Sequence, residues 1–163
     1  IWFLIRINSP GPGIYSQLRV GKKKTIFTCY KFRTMKVGSK EIESHKINVS
    51  SVTSLGKFLR KSKLDELPQI WNILRGDLSL VGPRPCMLTQ KKLIKEREKR
   101  DIFEILPGIT GLAQVYGIDM RDPKKLADCD QEYLNTQSIK NDFKIILMTI
   151  FVFKQNFNFK TLK

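Results

Sequence analysis

The sequence predicts an α+β domain, compact and mainly helical, with one small β-hairpin. Three observations carry that expectation. Apolar residues recur at three- and four-residue spacing, as in Leu67, Ile70, Trp71 and Leu74, which marks an amphipathic helix. One early segment alternates instead. Ile14, Ser16, Leu18 and Val20 fall on one side and Tyr15, Gln17 and Arg19 on the other, before a Gly21-Lys-Lys-Lys24 turn and a β-branched and aromatic run from Thr25 to Tyr30. Finally, the 163 residues are 41% hydrophobic, enough for one packed core, and no repeat, low-complexity tract or linker divides residues 1–163.

Each element follows in order. Ile1-Trp-Phe-Leu-Ile5 is apolar but too short to span a bilayer, which needs about twenty apolar residues. Asn8-Ser-Pro-Gly-Pro-Gly13 breaks any helix. The hairpin comes next, its lysine triplet either a solvated turn or a contact for anionic headgroups. Lys31-Phe-Arg33-Thr-Met35 ends the second strand. If extended, it sets Lys31 and Arg33 on one face, where two cations could hold a diphosphate or stand simply as exposed charges. Lys36 to Ser51 is polar and unpatterned, a loop or short irregular helix able to close over a substrate. Val52 to Arg60 is a short helix carrying Leu55, Phe58 and Leu59, with Gly56 interrupting.

The next helix starts close to Asp65, takes Pro68 in its first turn and ends at Gly76-Asp77, and Leu78 to Val81 is a brief buried run. Met87 to Phe103 reads as a helix whose charged middle, Lys91 to Arg100, is a solvated face or rests on an anionic membrane; Glu96 and Arg100 are in i,i+4 register. Leu106-Pro-Gly-Ile-Thr-Gly111 is a turn whose glycines allow close backbone approach to a ligand, without the lysine or spacing of a Walker loop. Leu112 to Tyr116 reads as a short strand or extended piece, and Pro123 to Thr136 as a helix. Residues 142–159 form an apolar or amphipathic C-terminal helix, with Phe157 and Phe159 continuing its apolar face.

Thirty Lys+Arg against fifteen Asp+Glu give a net charge of +15, which implies an anionic partner: nucleic acid, a membrane surface or a phosphorylated substrate. The three cysteines, Cys29, Cys86 and Cys129, are scattered and form no Cys-x-x-Cys. That argues against a zinc site or disulfide framework and fits a reducing compartment. His45 is the only histidine and lies in a polar segment, so acid–base or nucleophilic work falls to carboxylates.

The chemistry concentrates between Arg60 and Pro85. Asp65 and Glu66 sit at the positive end of the predicted helix, which lowers carboxylate pKa, and Arg60, Lys61 and Lys63 push the same way. An ionised carboxylate among cations suits metal binding or attack on phosphorus; the blander alternative is a charge-complemented helix cap. Gly82-Pro83-Arg84-Pro85 is a rigid turn presenting one arginine, suited to a bidentate phosphate contact or, taken alone, an ordinary loop arginine.

Residues 60–85, with Lys31–Met35 and Pro107-Gly-Ile-Thr-Gly-Leu-Ala-Gln-Val-Tyr-Gly117, resemble the bacterial sugar transferases, monotopic polyprenol-phosphate phosphoglycosyl transferases. The resemblance runs from about Ser9 to about Ile150 and rests on three long motifs in the family's order. It implies a monotopic, membrane-associated domain at the cytoplasmic face of the bacterial inner membrane. Residues 1–7 would be the end of a re-entrant membrane helix largely missing from this chain. It implies that Asp65 is the nucleophile, attacking the β-phosphate of a nucleoside-diphosphate sugar, with uridine the expected base. The resulting phosphosugar ester would pass to polyprenol (undecaprenyl) phosphate, an early membrane step of surface glycan synthesis. It further implies that Glu66, with Asp65, holds Mg2+, and that Pro83-Arg84-Pro85 helps hold the nucleotide. Lys31, Arg33 and Arg60 become phosphate-facing cations, with Gln114 a further substrate-binding residue. Membrane lipids, and a homodimer, are further implied partners, and nucleic acid is not. Where the family commonly has Arg-Asn after its Gln-Val-x-Gly turn, this chain has Ile118-Asp119-Met120-Arg121. Lys63 stands where serine or threonine is common.

Two readings from other classes compete. A basic nucleic-acid-binding module fits the charge, yet the cations interleave with core positions and no docking motif is present. A non-catalytic membrane-surface scaffold would bind anionic vesicles and no nucleotide sugar.

Overall fold

A computed structural model describes residues 1–39 and 51–158. The domain is α+β. Helix α1 (Trp2–Asn8) leads through the proline-glycine break into strands β1 (Ile14–Val20) and β2 (Ile26–Phe32). These pair antiparallel from Ile14 opposite Phe32 to Val20 opposite Ile26, the expected hairpin. Its turn is a 3-10 turn at Lys22–Lys24 in which Lys23 and Lys24 adopt left-handed φ of 51° and 58°. Met35 bridges to Val52 after the strand has ended.

Helix α2 (Ser54–Lys61) is capped by the Thr53 hydroxyl, which accepts the Gly56 N–H at 2.9 Å. A 3-10 turn (Leu64–Glu66) and the short helix α3 (Gln69–Leu74) follow, so Asp65 precedes the α-helix rather than opening it. The periodic stripe faces outward. Leu67, Ile70, Trp71 and Leu74 are exposed, Leu74 by 74%, while Gln69 and Asn72 are buried. The side chain of Asn72 explains this orientation. It accepts the Tyr30 N–H at 3.1 Å and donates to the Thr28 carbonyl at 2.7 Å, pinning the polar face of α3 onto β2.

The stretch expected as one helix from Met87 to Phe103 is three pieces. Strand β3 (Ser79–Val81) precedes it; β4 (Cys86–Met87) then joins β1 antiparallel, with Val20 opposite Cys86. Only Lys91–Glu98 forms helix α4, and Ile102–Glu104 makes a 3-10 turn. Sheet pairing claims Met87, and Asp101, at a left-handed φ of 56°, ends the helical run. The Glu96–Arg100 pair is present at 2.7 Å. The next expectation also reverses. The strand lies in the glycine turn itself, as β5 (Gly108–Thr110), parallel to β3, and Leu112–Val115 is a single helical turn, α5. A Cβ at Gly108 or Gly111 would collide with the backbone of Gly82, so these glycines bring two chain segments together rather than chain and ligand.

Helix α6 (Pro123–Thr136) matches its expected span, capped by Asp122, and α7 (Ile139–Asn158) follows it. The main core gathers Val20, Val81, Cys86, Leu93, Phe103, Leu112, Leu126, Tyr133 and Ile145; a smaller cluster joins Phe27, Cys29 and Leu78. Tyr133 OH donates to Asp142 Oδ1 at 2.8 Å, tying α6 to α7. Among the described residues no helix is long and apolar enough to cross a membrane. Apolar side chains are nonetheless exposed on α1 (Phe3, Ile7), α3, and α7 (Phe143, Phe151). The expected loop beyond Ser39, with His45, and the tail from Phe159 lie outside the described residues.

Candidate active site

The site assembles where β2, α2 and the Leu64–Glu66 turn meet the turn after β3. Lys63, at a left-handed φ of 55°, starts the sharp entry that delivers Asp65 and Glu66. Both carboxylates are buried, each 8% exposed. Lys31, from the end of β2, places Nζ 2.6 Å from Glu66 Oε1, and Arg84 donates through Nη2 to the same oxygen at 3.0 Å. Asp65 has no such clamp: its Oδ1 is buried and without a hydrogen-bond partner. Arg60 hydrogen-bonds the Thr34 hydroxyl through Nε at 2.8 Å, and its charge acts on Asp65.

The two carboxyls titrate in opposite directions, although the sequence led us to expect both lowered. Burial pushes the Asp65 carboxyl up, and the adjacent Glu66 charge adds to it; Lys31, Lys63 and Arg60 only partly oppose. Burial also acts against the Glu66 carboxylate, but Arg84, Lys31 and Lys63 outweigh it and hold Glu66 well below the ordinary 4.5. Burial and Arg84 lower the Lys31 ammonium despite its contact with Glu66. For Arg84 the Glu66 charge dominates and raises its pKa. Glu66 is thus a fixed anion, and Asp65 is the more basic, less satisfied oxygen donor.

Among the described residues no three His, Cys, Asp or Glu side chains cluster as a metal cage. A hard, water-retaining divalent ion needs only one or two carboxylates when substrate phosphates supply the rest. Asp65, with its unpartnered oxygen, and Glu66 meet that requirement.

The other expected residues divide. Lys31, Arg60 and Arg84 converge on the carboxylates. Arg33 does not: it is buried, and its guanidinium donates to the carbonyls of Pro10 at 2.5 Å and Ser9 at 2.7 Å, holding the exit of α1. Gln114 donates to the Ile109 carbonyl at 2.9 Å, bracing β5, while its Oε1 is buried without a partner. Pro83 and Pro85 frame Arg84 through their backbone. The Pro83 carbonyl accepts the Gly108 N–H at 3.0 Å, and the Pro85 carbonyl accepts Arg19 Nη1 at 3.0 Å.

Sequence reasoning passed over Asn72, Arg19 and a buried pair, Arg97 with Asp130. A signal existed for Arg97. It stands four residues after Leu93 and so shares that residue's inward face, although it lies in a run read as solvated. Arg97 is 2% exposed.

Comparison with known proteins gives the family. The bacterial sugar transferase family matches residues 1–156. The galactosyl transferase CpsE of Streptococcus agalactiae serotype III is 39% identical over 154 residues, covering 86% of this chain and 34% of that protein. The UDP-glucose:undecaprenyl-phosphate glucose-1-phosphate transferase of Escherichia coli is 35% identical over 156 residues, covering 90% of this chain and 34% of that protein. The uncharacterized sugar transferase EpsL of Bacillus subtilis is 37% identical over 148 residues, covering 90% of this chain and 72% of that protein. The chain therefore spans about a third of the length of the first two relatives.

Proposed function

The chain belongs to the bacterial sugar transferase family, and from that premise we propose that it is a phosphoglycosyl transferase. It moves a sugar-1-phosphate from a nucleoside-diphosphate sugar, a UDP-sugar if it resembles the Escherichia coli relative in this, as that protein's name has it, to polyprenol phosphate. The observation that carries this reading is the asymmetry of the dyad: Glu66 bound by two cations, and Asp65 buried beside it with a free oxygen.

Asp65 attacks the β-phosphorus. A bond forms from its carboxylate oxygen to phosphorus, the bond from that phosphorus to the bridging oxygen breaks, and nucleoside monophosphate leaves with the electron pair. The polyprenol phosphate oxygen then attacks the same phosphorus and returns the carboxylate. A raised pKa makes Asp65 the better nucleophile once ionised. Lys31 and Arg84 place positive charge where phosphoryl oxygens gain negative charge, and Arg60 faces the Asp65 side. Glu66 fixes both cations. Mg2+ held by Asp65 and Glu66 would neutralise donor phosphate charge.

Membrane attachment belongs to the same proposal. The exposed apolar faces of α1, α3 and α7, with the net charge of +15, suit a monotopic seat on an anionic inner-membrane surface, facing the cytoplasm.

The test is mass spectrometry of the intact protein after incubation with Mg2+ and UDP-sugars. The expected result is a phosphosugar adduct on the peptide containing Asp65, absent from Asp65→Asn. An unmodified peptide with every active donor would refute the covalent route.

A further inference from the structure

Prolines have no N–H, so a Pro-Arg-Pro turn is anchored through its carbonyls and its arginine's own N–H. All three carbonyls are taken, each by a different part of the fold. Gly108 N–H holds that of Pro83, Arg19 holds that of Pro85, and Arg97 Nη1 donates to that of Arg84 at 2.8 Å. Arg97 reaches there from α4. It is aimed by Asp130 of α6, whose Oδ2 accepts Arg97 Nε at 2.9 Å and lies 2.7 Å from Nη2. Both members of the pair are 2% exposed. Beyond them, Arg84 reaches out to Glu66.

We propose that Arg97, held by Asp130, is a positioning residue for donor recognition: it fixes the Arg84 backbone so that the Arg84 guanidinium meets the diphosphate of the nucleotide. This rests on the proposed function for the identity of the ligand. The physical basis is the place of the bond. Arg97 is the sole side-chain donor to that carbonyl among the described residues, and a backbone carbonyl sits one bond from the Cα that carries the side chain. Losing the donor lets the arginine's root shift while leaving its charge in place. The bond also satisfies a buried carbonyl, so the test reads UDP binding beside melting temperature to separate positioning from stability.

The experiment uses the full-length protein and two variants. In Arg97→Met/Asp130→Leu both charges are removed together, which avoids stranding one of them in the core. In Arg97→Lys a cation remains for Asp130, but the fork that spans both partners is lost. Each is measured for melting temperature, for KM and kcat with the nucleotide sugar, and for equilibrium binding of UDP. The expected result is a melting temperature near that of the parent, with KM and the UDP Kd raised by roughly ten- to a hundredfold, as for a lost charge-assisted hydrogen bond, and kcat changed far less. Unchanged UDP binding in either folded variant would overturn the proposal, as would a loss confined to kcat. Failure of the functional reading looks different. A parent protein that binds UDP but forms no Asp65 adduct refutes the covalent chemistry, while weakened UDP binding in the variants still supports the role of Arg97.

Discussion

Two buried clusters of charge lie on either side of Arg84, and they are built to opposite rules. Arg97 and Asp130 set one cation on one anion, both sealed from solvent: Nε donates to Asp130 Oδ2 and Nη1 to the Arg84 carbonyl, while Nη2 lies 2.7 Å from the same Asp130 oxygen without making a hydrogen bond. At the dyad, Lys31 and Arg84 share a single Glu66 oxygen, and Lys63 and Arg60 add their fields. Asp65 keeps an oxygen with no partner. A buried pair whose charges cancel holds structure. An unsatisfied one holds free energy that a ligand can release, because an unmet buried polar atom costs about 1–3 kcal/mol until something meets it. The comparison teaches where to look for chemistry in this fold: at the carboxylate left open, not at the best-made ion pair.

The largest expected effect attacks the open side. Asp65→Asn should lower turnover by at least about a thousandfold, since an amide cannot form the phosphorus ester, while the protein stays folded and binds UDP. Normal turnover in that variant would end the distinction between the clusters. The closed side should fail in stability instead. Asp130→Ala leaves Arg97 buried and unpaired and should cost about 3–5 kcal/mol in denaturant unfolding. Glu66→Gln should cost less, because Asp65 remains near the two cations; if it proved the more destabilising change, the contrast drawn above would be inverted.

Arg84→Lys keeps a charge but loses the planar fork, and should raise the donor KM by about tenfold. An unchanged KM would remove Arg84 from the site. The smallest effect is a shift in pH dependence. On the proposed route Asp65 must be ionised to attack, and its carboxyl is raised above the ordinary 3.8, so the acidic limb of kcat/KM should lie above that value. Glu66→Gln removes a like charge and should move the limb down, whereas Lys31→Met removes an opposing cation and should move it up. Limbs that coincide in all three proteins would disconnect Asp65 from the profile.

Much of this was legible before any coordinates. The alternation of Ile14–Val20 and the lysine turn specified the hairpin, because period-two patterning and a turn signal agree there. The Asp65-Glu66 and Pro83-Arg84-Pro85 motifs, read in the sequence as candidates, lie together in the structure. Three things were hidden, each for a physical reason. The α3 stripe marked an amphipathic helix, but periodicity does not report which side is inside; the buried Asn72 decided that. Arg33 looked like a partner of Lys31 because alternation places both on one face, but the strand ends at Phe32 and the guanidinium turns to the carbonyls after α1. The pKa split of the dyad could not be read at all, since it depends on which oxygen two distant cations choose.

The seam between β3 and β5 has a practical corollary. At Gly82, Gly108 and Gly111 main chain lies directly against main chain, with no room for even a methyl group. A mutational library would recover nothing useful at codons 82, 108 and 111. Every allele bearing a side chain there would report on collapse of the scaffold under Arg84, whatever the screen was designed to select.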